Sequence, residues 1–356
     1  MPSFVESFAV AVGSSRKLTS AFLRLAFLFA LIINSSHCIK LPCAAGDPSC
    51  DAKGIIALIG VGRPSVFLAG SNQGQVAYSS DSGRTWSVIT VGPSTQVING
   101  FAALGDLIFA FGDTSGGDGF FYTSSDLENW TGPVLISGSI INHGDGDGSH
   151  VYLVASADAS LFQVQSDGGY NNIGNINSAN GAITMLKHLN GQWFAGDSSG
   201  GIEPFLSYGT NPASLLTPSN APTNQAIDIA FINGEYMAMT SGATAAFITN
   251  AGSLDNWSAY NPGSTFTSIC GDGTYGMAGT SIGEVRISVD GQTVGAPFST
   301  GLASVHDIAC GPFSIVVIPS STASWAHSED GGLTWIPVAN PFPSGQPNVI
   351  EYYPAP

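Results

Sequence analysis

The chain is poor in charge, and above all in positive charge. Charged residues make up 10% of its 356, with nine Lys and Arg against 25 Asp and Glu. Five of the nine (Arg16, Lys17, Arg24, Lys40, Lys53) precede Gly54. Beyond it stand Arg63, Arg84, Lys187 and Arg286 against 22 acidic residues, a formal charge of −18. Nucleic-acid binding depends on neutralising phosphates with Lys and Arg, so that class is excluded. The acidity itself requires no explanation beyond solubility. Long amphipathic helical stretches are missing. After Ile33 no apolar run is long enough to span a bilayer. No Ser-His-Asp order, phosphate loop or zinc spacing stands out.

Cysteine is scarce, at five residues. Cys43 and Cys50 bracket a short Pro- and Gly-containing loop and are expected to pair locally. Cys270 and Cys310 are each followed by Gly at the same place in neighbouring repeats, and are expected to pair with each other. Both pairings require an oxidising compartment. The N-terminus fits one. Arg16, Lys17 and Arg24 precede the apolar stretch Leu25–Ile33 and the small polar run Asn34-Ser35-Ser36, the layout of a secretory signal. Cys38 follows directly, where a bacterial lipoprotein carries its acylated cysteine. Residues 1–38 therefore read as an export signal or lipoprotein leader, with Cys38 either lipidated or removed. Residues 39–53 read as a polar tether, and residues 54–356 as one domain.

Glycine is abundant, with 45 residues, and it recurs with a period. Gly62, Gly105, Gly148, Gly191, Gly234, Gly273 and Gly311 each precede a short apolar strand, such as Val66-Phe67-Leu68-Ala69 or Ile315-Val316-Val317-Ile318. The intervals are 43, 43, 43, 43, 39 and 38 residues. A second landmark runs in step. Ser79-Ser80-Asp81-Ser82-Gly83-Arg84-Thr85-Trp86 and Ser328-Glu329-Asp330-Gly331-Gly332-Leu333-Thr334-Trp335 both read S-x-D-x-G-x-T-W, with decayed copies at Asp126, Asp167, Gly209, Asn250 and Asp290. Four short strands in about 42 residues is the size of one propeller blade. Seven units predict an all-β, seven-bladed propeller of four-stranded antiparallel blades. Two segments are expected to help close the ring, Gly54–Gly60 as an inner strand of the first blade and Asn348–Tyr353 alongside the last.

The eight-residue phrase resembles the Asp-box, or BNR, repeat of sialidase-like and sortilin-like propellers. In that superfamily it is a hairpin turn on the outer rim. The resemblance implies that Ser79, Asp81, Gly83, Trp86, Ser328, Asp330, Gly332 and Trp335, with Asp126 and Asp290, are structural and not catalytic. It also allows exclusions. A sialidase needs three arginines for the substrate carboxylate, and this chain cannot assemble them. The photosystem-assembly relatives carry an arginine patch that is missing here.

Chemistry, if present, is expected where inner strands line the central channel. One polar column reads Asn99, Asn142, Thr184, Asp228, Thr267 and Asp307, each after a mostly apolar neighbour, as alternation between channel and sheet requires. It is a candidate ligand-binding ring, with a water-filled channel as the plainer reading. Asp228 and Asp307 are the weak catalytic candidates, because an inverting glycosidase needs two carboxylates across a cleft. His143–His150 places Asp145, Asp147 and Ser149 at the first three ligand positions of a calcium loop, but lacks the later Gly and Glu. A plain hairpin tip is expected, with calcium the one cofactor considered. Trp193 and Trp325 lie outside the repeat's Trp position and are expected in the core unless exposed for stacking on sugars.

These readings lead to an exported or lipid-anchored extracellular binding module, for protein or glycan, acting as a monomer. Its expected location is secreted or at the cell surface, with membrane contact only through an N-terminal lipid. A glycoside hydrolase is the alternative, and a structural envelope protein the third.

Overall fold

The computed structural model describes residues 65–353, apart from 177–181, 199–205, 221, 223, 242–245, 251–252, 262, 272 and 313. Residues 1–64, which include those read as leader and tether, Cys38, Cys43, Cys50, Gly54–Gly60 and Arg63, lie outside the described residues. Twenty-seven strands form seven antiparallel sheets, and no helix occurs among the described residues. This is the expected propeller. Six blades have four strands. The fourth has three, and a single bridge between Tyr208 and Leu216 stands where its outer strand would run.

The inner strands are Pro347–Tyr353, Gln96–Leu104, Ile141–Gly146, Ile183–Leu189, Ala226–Ile232, Phe266–Gly271 and Asp307–Cys310, for blades one to seven. Each touches the next around the axis, and the seventh touches the first, so the ring is closed. Closure differs from expectation. The C-terminal strand does not extend the last blade; it pairs with Val66–Ser71 and becomes the innermost strand of the first. Ends of the chain distant in sequence thus share one sheet, which locks the circle by backbone hydrogen bonds.

Packing explains the composition. The seven clusters of buried side chains each join residues of two neighbouring blades, so the core is divided among the seams. A second strand is covered on both faces, and it reads as an unbroken apolar run. Val66–Ser71 and Ile315–Ile318 are buried throughout. An outer strand lacks a neighbour and turns polar, as in Tyr170–Asn175, where five of six residues are exposed. Inner and second strands of blades four and five are joined by Asn190-Gly191 and Asn233-Gly234, with both residues of each pair at positive φ. That is the backbone of a type I′ hairpin, which the Gly landmark had marked.

Candidate functional site: the axial channel

Six of the seven inner strands carry one extra residue near their start; Asp307–Cys310 pairs without a register shift. Register shifts fall between Ile98 and Gly100, Ile141 and His143, Ile183 and Met185, Ala226 and Asp228, and Phe266 and Ser268. A bulge leaves its extra residue free of the ladder and re-aims its side chain. The bulged residues are Asn99, Asn142, Thr184, Ile227 and Thr267, with Asn348 at the irregularity in the first blade. Several tie one blade to the next. Asn99 Nδ2 donates to Ile141 O at 2.9 Å, Asn348 Nδ2 to Ile98 O at 3.0 Å, and Thr184 Oγ1 to Ala226 O at 2.5 Å. Asn142 accepts from Asn99 Nδ2 at 3.1 Å.

The expected column therefore needs correction at two places. Asp228 and Asp307 are not its members; they sit one residue further along, level with His143 and Ser268. A bulge moves the polar alignment by one position, and Ile227 is what occupies the column in blade five.

The acids have a common task. Asp228 Oδ1 accepts from its own neighbour Ile229 N (2.9 Å), and Oδ2 from Ile269 N of the next blade (2.8 Å). Asp307 repeats this with Ile308 N (2.8 Å) and Ile350 N (2.9 Å). Asp145 accepts from Gly146 N and from His188 N of the fourth blade, and Glu351 from Phe101 N of the second. The sixth and seventh blades are joined by the Cys270–Cys310 disulfide, with the pairing expected from the sequence and Cα atoms 5.4 Å apart. The fourth and fifth are joined by Lys187, whose Nζ lies 2.6 Å from Asp228 Oδ1. With Asn99 between blades two and three, every seam has a polar or covalent clasp facing the axis.

Two cavities, about 270 and 210 Å³, lie along this axis and share Gly144, Lys187, Ile308, Ile350 and Glu351 in their walls. Of the column read from sequence, Asn99, Asp228, Thr267 and Asp307 line the larger; Asn142 and Thr184 are on neither wall. Lys187 is enclosed by protein yet keeps 40% of its side chain open to the lumen. Enclosure shapes protonation here. Burial pushes the Asp145 carboxyl up to about 6 and Glu351 to about 8. Burial, with Asp228 nearby, also raises Asp307. His143 is pushed down to about 4 by burial and by Lys187, so its ring is neutral at physiological pH. Burial works against charge on Lys187, but Asp228, Asp307 and Glu351 outweigh it and hold the ammonium protonated.

The S-x-D-x-G-x-T-W turns lie elsewhere. They join third to fourth strands, and alternation of strand direction puts them on the side where inner strands end. Asp81 accepts from Thr85 N at 2.9 Å and Thr85 Oγ1 at 2.6 Å, while Gly83 N donates to Ser79 Oγ. Asp330, Thr334, Ser328 and Gly332 repeat this contact for contact. Trp86 and Trp335 each donate Nε1 to the carbonyl of Gly83 and Gly332. Both glycines have positive φ, and a Cβ there would lie 2.5 Å from Val316 or 2.4 Å from Met277 of the preceding blade. These acids are turn acceptors, as expected. Trp335 is only half-buried and packs against the apolar cluster between the sixth and seventh blades. Arg84 is bound by Glu329 of the seventh blade's turn, with Nη2 2.7 Å from Oε2.

The calcium-loop candidates part company. Asp145 turns into the channel, whereas Asp147 accepts from the Ser149 and His150 amides as a hairpin tip. Among the described residues no group of three or more His, Cys, Asp or Glu is arranged to hold a metal. Trp193 and Trp325 are 1% and 0% exposed and belong to the core. Lys187 and Glu351 escaped the sequence reading as channel residues, and His143 entered it only within the calcium-loop segment. Lys187, Glu351 and Asp145 share one position, three residues after the bulge, so counting from the bulge would have found them.

No protein-family model matches the chain, and no curated protein matches it. Solved structures do. Apo AztD from Citrobacter koseri is similar over 82% of this chain and 98% of its own, at 10% identity and a TM-score of 0.57. YCF48 bound to D1 peptide covers 72% of this chain and 86% of its own, at 14% identity and 0.57. A protein from Lactobacillus plantarum covers 82% and 100%, at 12% identity and 0.57. At such identities the likeness establishes the fold alone. The chain is a seven-bladed β-propeller.

Proposed function

We propose that this propeller is a non-catalytic binding module that presents a rigid face to a protein partner outside the cell. In this reading the S-x-D-x-G-x-T-W turns are Asp-box repeats. Residues 1–38 export the chain or anchor it through Cys38, and Cys43 and Cys50 pair within the tether. The observation that carries the non-catalytic reading is the use made of the channel acids. Asp228 and Asp307, the pair a glycosidase would need, each hold two backbone amides, and Asp228 also holds Lys187. A carboxylate committed to the scaffold is poorly placed to shuttle protons to a substrate. The cavities are also smaller than the roughly 300–1,000 Å³ typical of small-molecule sites. A peptide partner is consistent with the peptide complex of YCF48, a protein of the same fold. A glycan partner is the second reading.

Two measurements test this. Purified full-length protein is assayed against a panel of aryl glycosides and natural glycans, and no turnover above buffer is expected. Turnover that disappears in Asp307→Asn would replace the binder with the hydrolase. Export is tested separately by expressing the chain in a secreting bacterium with a clickable fatty acid. Label present in the wild type and absent in Cys38→Ala supports the anchor; retention of unprocessed chain in the cytosol contradicts export.

A further inference from the structure

The repeat turns meet across the seams between blades, and two neighbouring seams are built alike but finished differently. Between blades seven and one, a Cβ on Gly83 would meet Val316, and Val316 pairs with His327. Two residues beyond His327, Glu329 binds Arg84. Between blades six and seven the same contacts recur. A Cβ on Gly332 would meet Met277, and Met277 pairs with Ile287. Two residues beyond Ile287 stands Val289, in the place of Glu329, while Leu333 stands in the place of Arg84. The positions of an ion pair at one seam thus carry two aliphatic side chains at the other.

The exchange leaves a notch open. Beneath the Arg84–Glu329 pair, His327 is 4% exposed. Its counterpart Ile287 is half-buried, and Val289 and Leu333 above it are 69% and 58% exposed. Half-buried Phe298 and Trp335 pack with Ile287 against the cluster below, so the floor and walls are apolar. Single exposed aliphatic residues are ordinary on a surface. Two of them at facing turn positions above a half-open apolar floor, rimmed by acids, have the layout of a protein contact.

Charge selects the partner. Asp290 and Asp330 belong to the two turns that form the notch. Hydrogen bonds from Thr334 hold Asp330 down at about 2, and the amides of its own turn keep Asp290 below its ordinary value although burial opposes them. The three lysines and arginines among the described residues are committed elsewhere. Arg84 lies on Glu329, Lys187 on Asp228 in the channel, and Arg286 on Gly295 O and Ser264 Oγ. An acidic segment, or a second copy of this acidic chain, would meet repulsion at the notch, and a basic segment would meet attraction.

We propose that the notch between the turns of blades six and seven docks a segment of a partner protein that carries an aliphatic side chain flanked by Lys or Arg. The aliphatic residue packs between Val289 and Leu333 over Ile287, and the flanking cations face Asp290 and Asp330. Such a partner is one case of the protein-binding role proposed above, and the site rests on that reading.

The test is an NMR titration of the full chain, labelled at Ile, Leu and Val methyl groups, at pH 7. The probe is acetyl-Lys-Lys-Leu-Leu-Lys-Lys-amide. Acetyl-Lys-Lys-Gly-Gly-Lys-Lys-amide lacks the aliphatic anchor, and acetyl-Glu-Glu-Leu-Leu-Glu-Glu-amide reverses the charge. Saturable shifts are expected at the Ile287, Val289 and Leu333 methyls, with each control about tenfold weaker or more. The Leu333→Arg, Val289→Glu double variant copies the Arg84–Glu329 pair onto this seam and should weaken the probe about tenfold or more. Leu333→Ser, a change at an exposed side chain that leaves the fold intact, should weaken it several-fold. The site is overturned by the absence of shifts at these methyls, by equal binding of either control, or by unchanged affinity in the double variant. It is also overturned if the notch proves to be a contact between two copies, seen as a dimer that the double variant abolishes. Saturable shifts confined to other methyls overturn the site and leave the binding-module reading standing. That reading falls separately, to glycoside turnover, which this titration does not measure.

Discussion

Two sets of carboxylates in this molecule do the same work in opposite surroundings. On the axis, Asp145, Asp228, Asp307 and Glu351 accept backbone amides across the seams between blades. On the rim, Asp81, Asp126, Asp290 and Asp330 accept amides and hydroxyls within their own turns. The hydrogen bonds are alike in length, yet protonation diverges. Asp145 rises to about 6 and Glu351 to about 8, while hydrogen bonds from Thr334 and Asn129 hold Asp330 and Asp126 down at about 2. Water decides between them. Donors stabilise the charged form in both places, but at Asp145, Asp307 and Glu351 the loss of hydration outweighs them. A buried amide-bound acid thus costs the fold stability when it ionises, although its hydrogen bonds favour the charge, whereas an exposed one stabilises its turn when ionised.

That contrast can be broken at the axis first. Removing the Cys270–Cys310 link by replacing both residues with Ala is expected to cost about 2–4 kcal/mol, as for other loops of this size, read from urea midpoints. Lys187→Met leaves Asp228 without its partner. A fully dry pair would lose about 3–5 kcal/mol, but the open lumen reduces this to about 1–3. At the rim, Asp81→Asn should cost about 1 kcal/mol, comparable to a lost helix cap. A rim loss equal to the Lys187 loss would erase the distinction.

The last prediction concerns pH. Glu351 titrates near its ordinary value of 4.5 when unfolded and near 8 when folded, so the folded state binds more protons between those values. Stability must then fall as pH rises through that window. His143 acts in the opposite direction, but its range ends at its ordinary 6.5. Between about pH 6.5 and 8 the melting temperature should therefore decline, and Glu351→Gln should flatten the decline. On the acid side the rim dominates. Asp126 and Asp330 have depressed values, so the stability they contribute is lost as pH falls from about 4 towards 2. A wild-type profile rising from pH 6.5 to 8 would contradict the reading of Glu351.

The rim was legible because its logic is local. Ser79, Asp81, Gly83 and Thr85 bond to one another within seven residues, and the phrase repeats at Ser328–Trp335 in the same form. Trp325 could be assigned to the core from its place in a repeat. The axis was legible only in part. Asn99, Asn142, Thr184 and Thr267 were found by alternation, but Asp228 and Asp307 were placed one position off; at Asp228 the reason is a bulge, which does not announce itself in the residue type. Lys187 looked like a stray cation until its partner Asp228 was brought from the next blade.

What the sequence alone determined is the count and composition of the blades. Strand period, turn chemistry and seven repeats are properties of residues close together in the chain. The ring's closure by Pro347–Tyr353 beside Val66–Ser71, the register of the channel acids and the direction of their protonation were decided by tertiary structure. Each depends on groups from different blades meeting at a shared axis, and on water being kept from them there. No local pattern encodes how much water a carboxylate will keep.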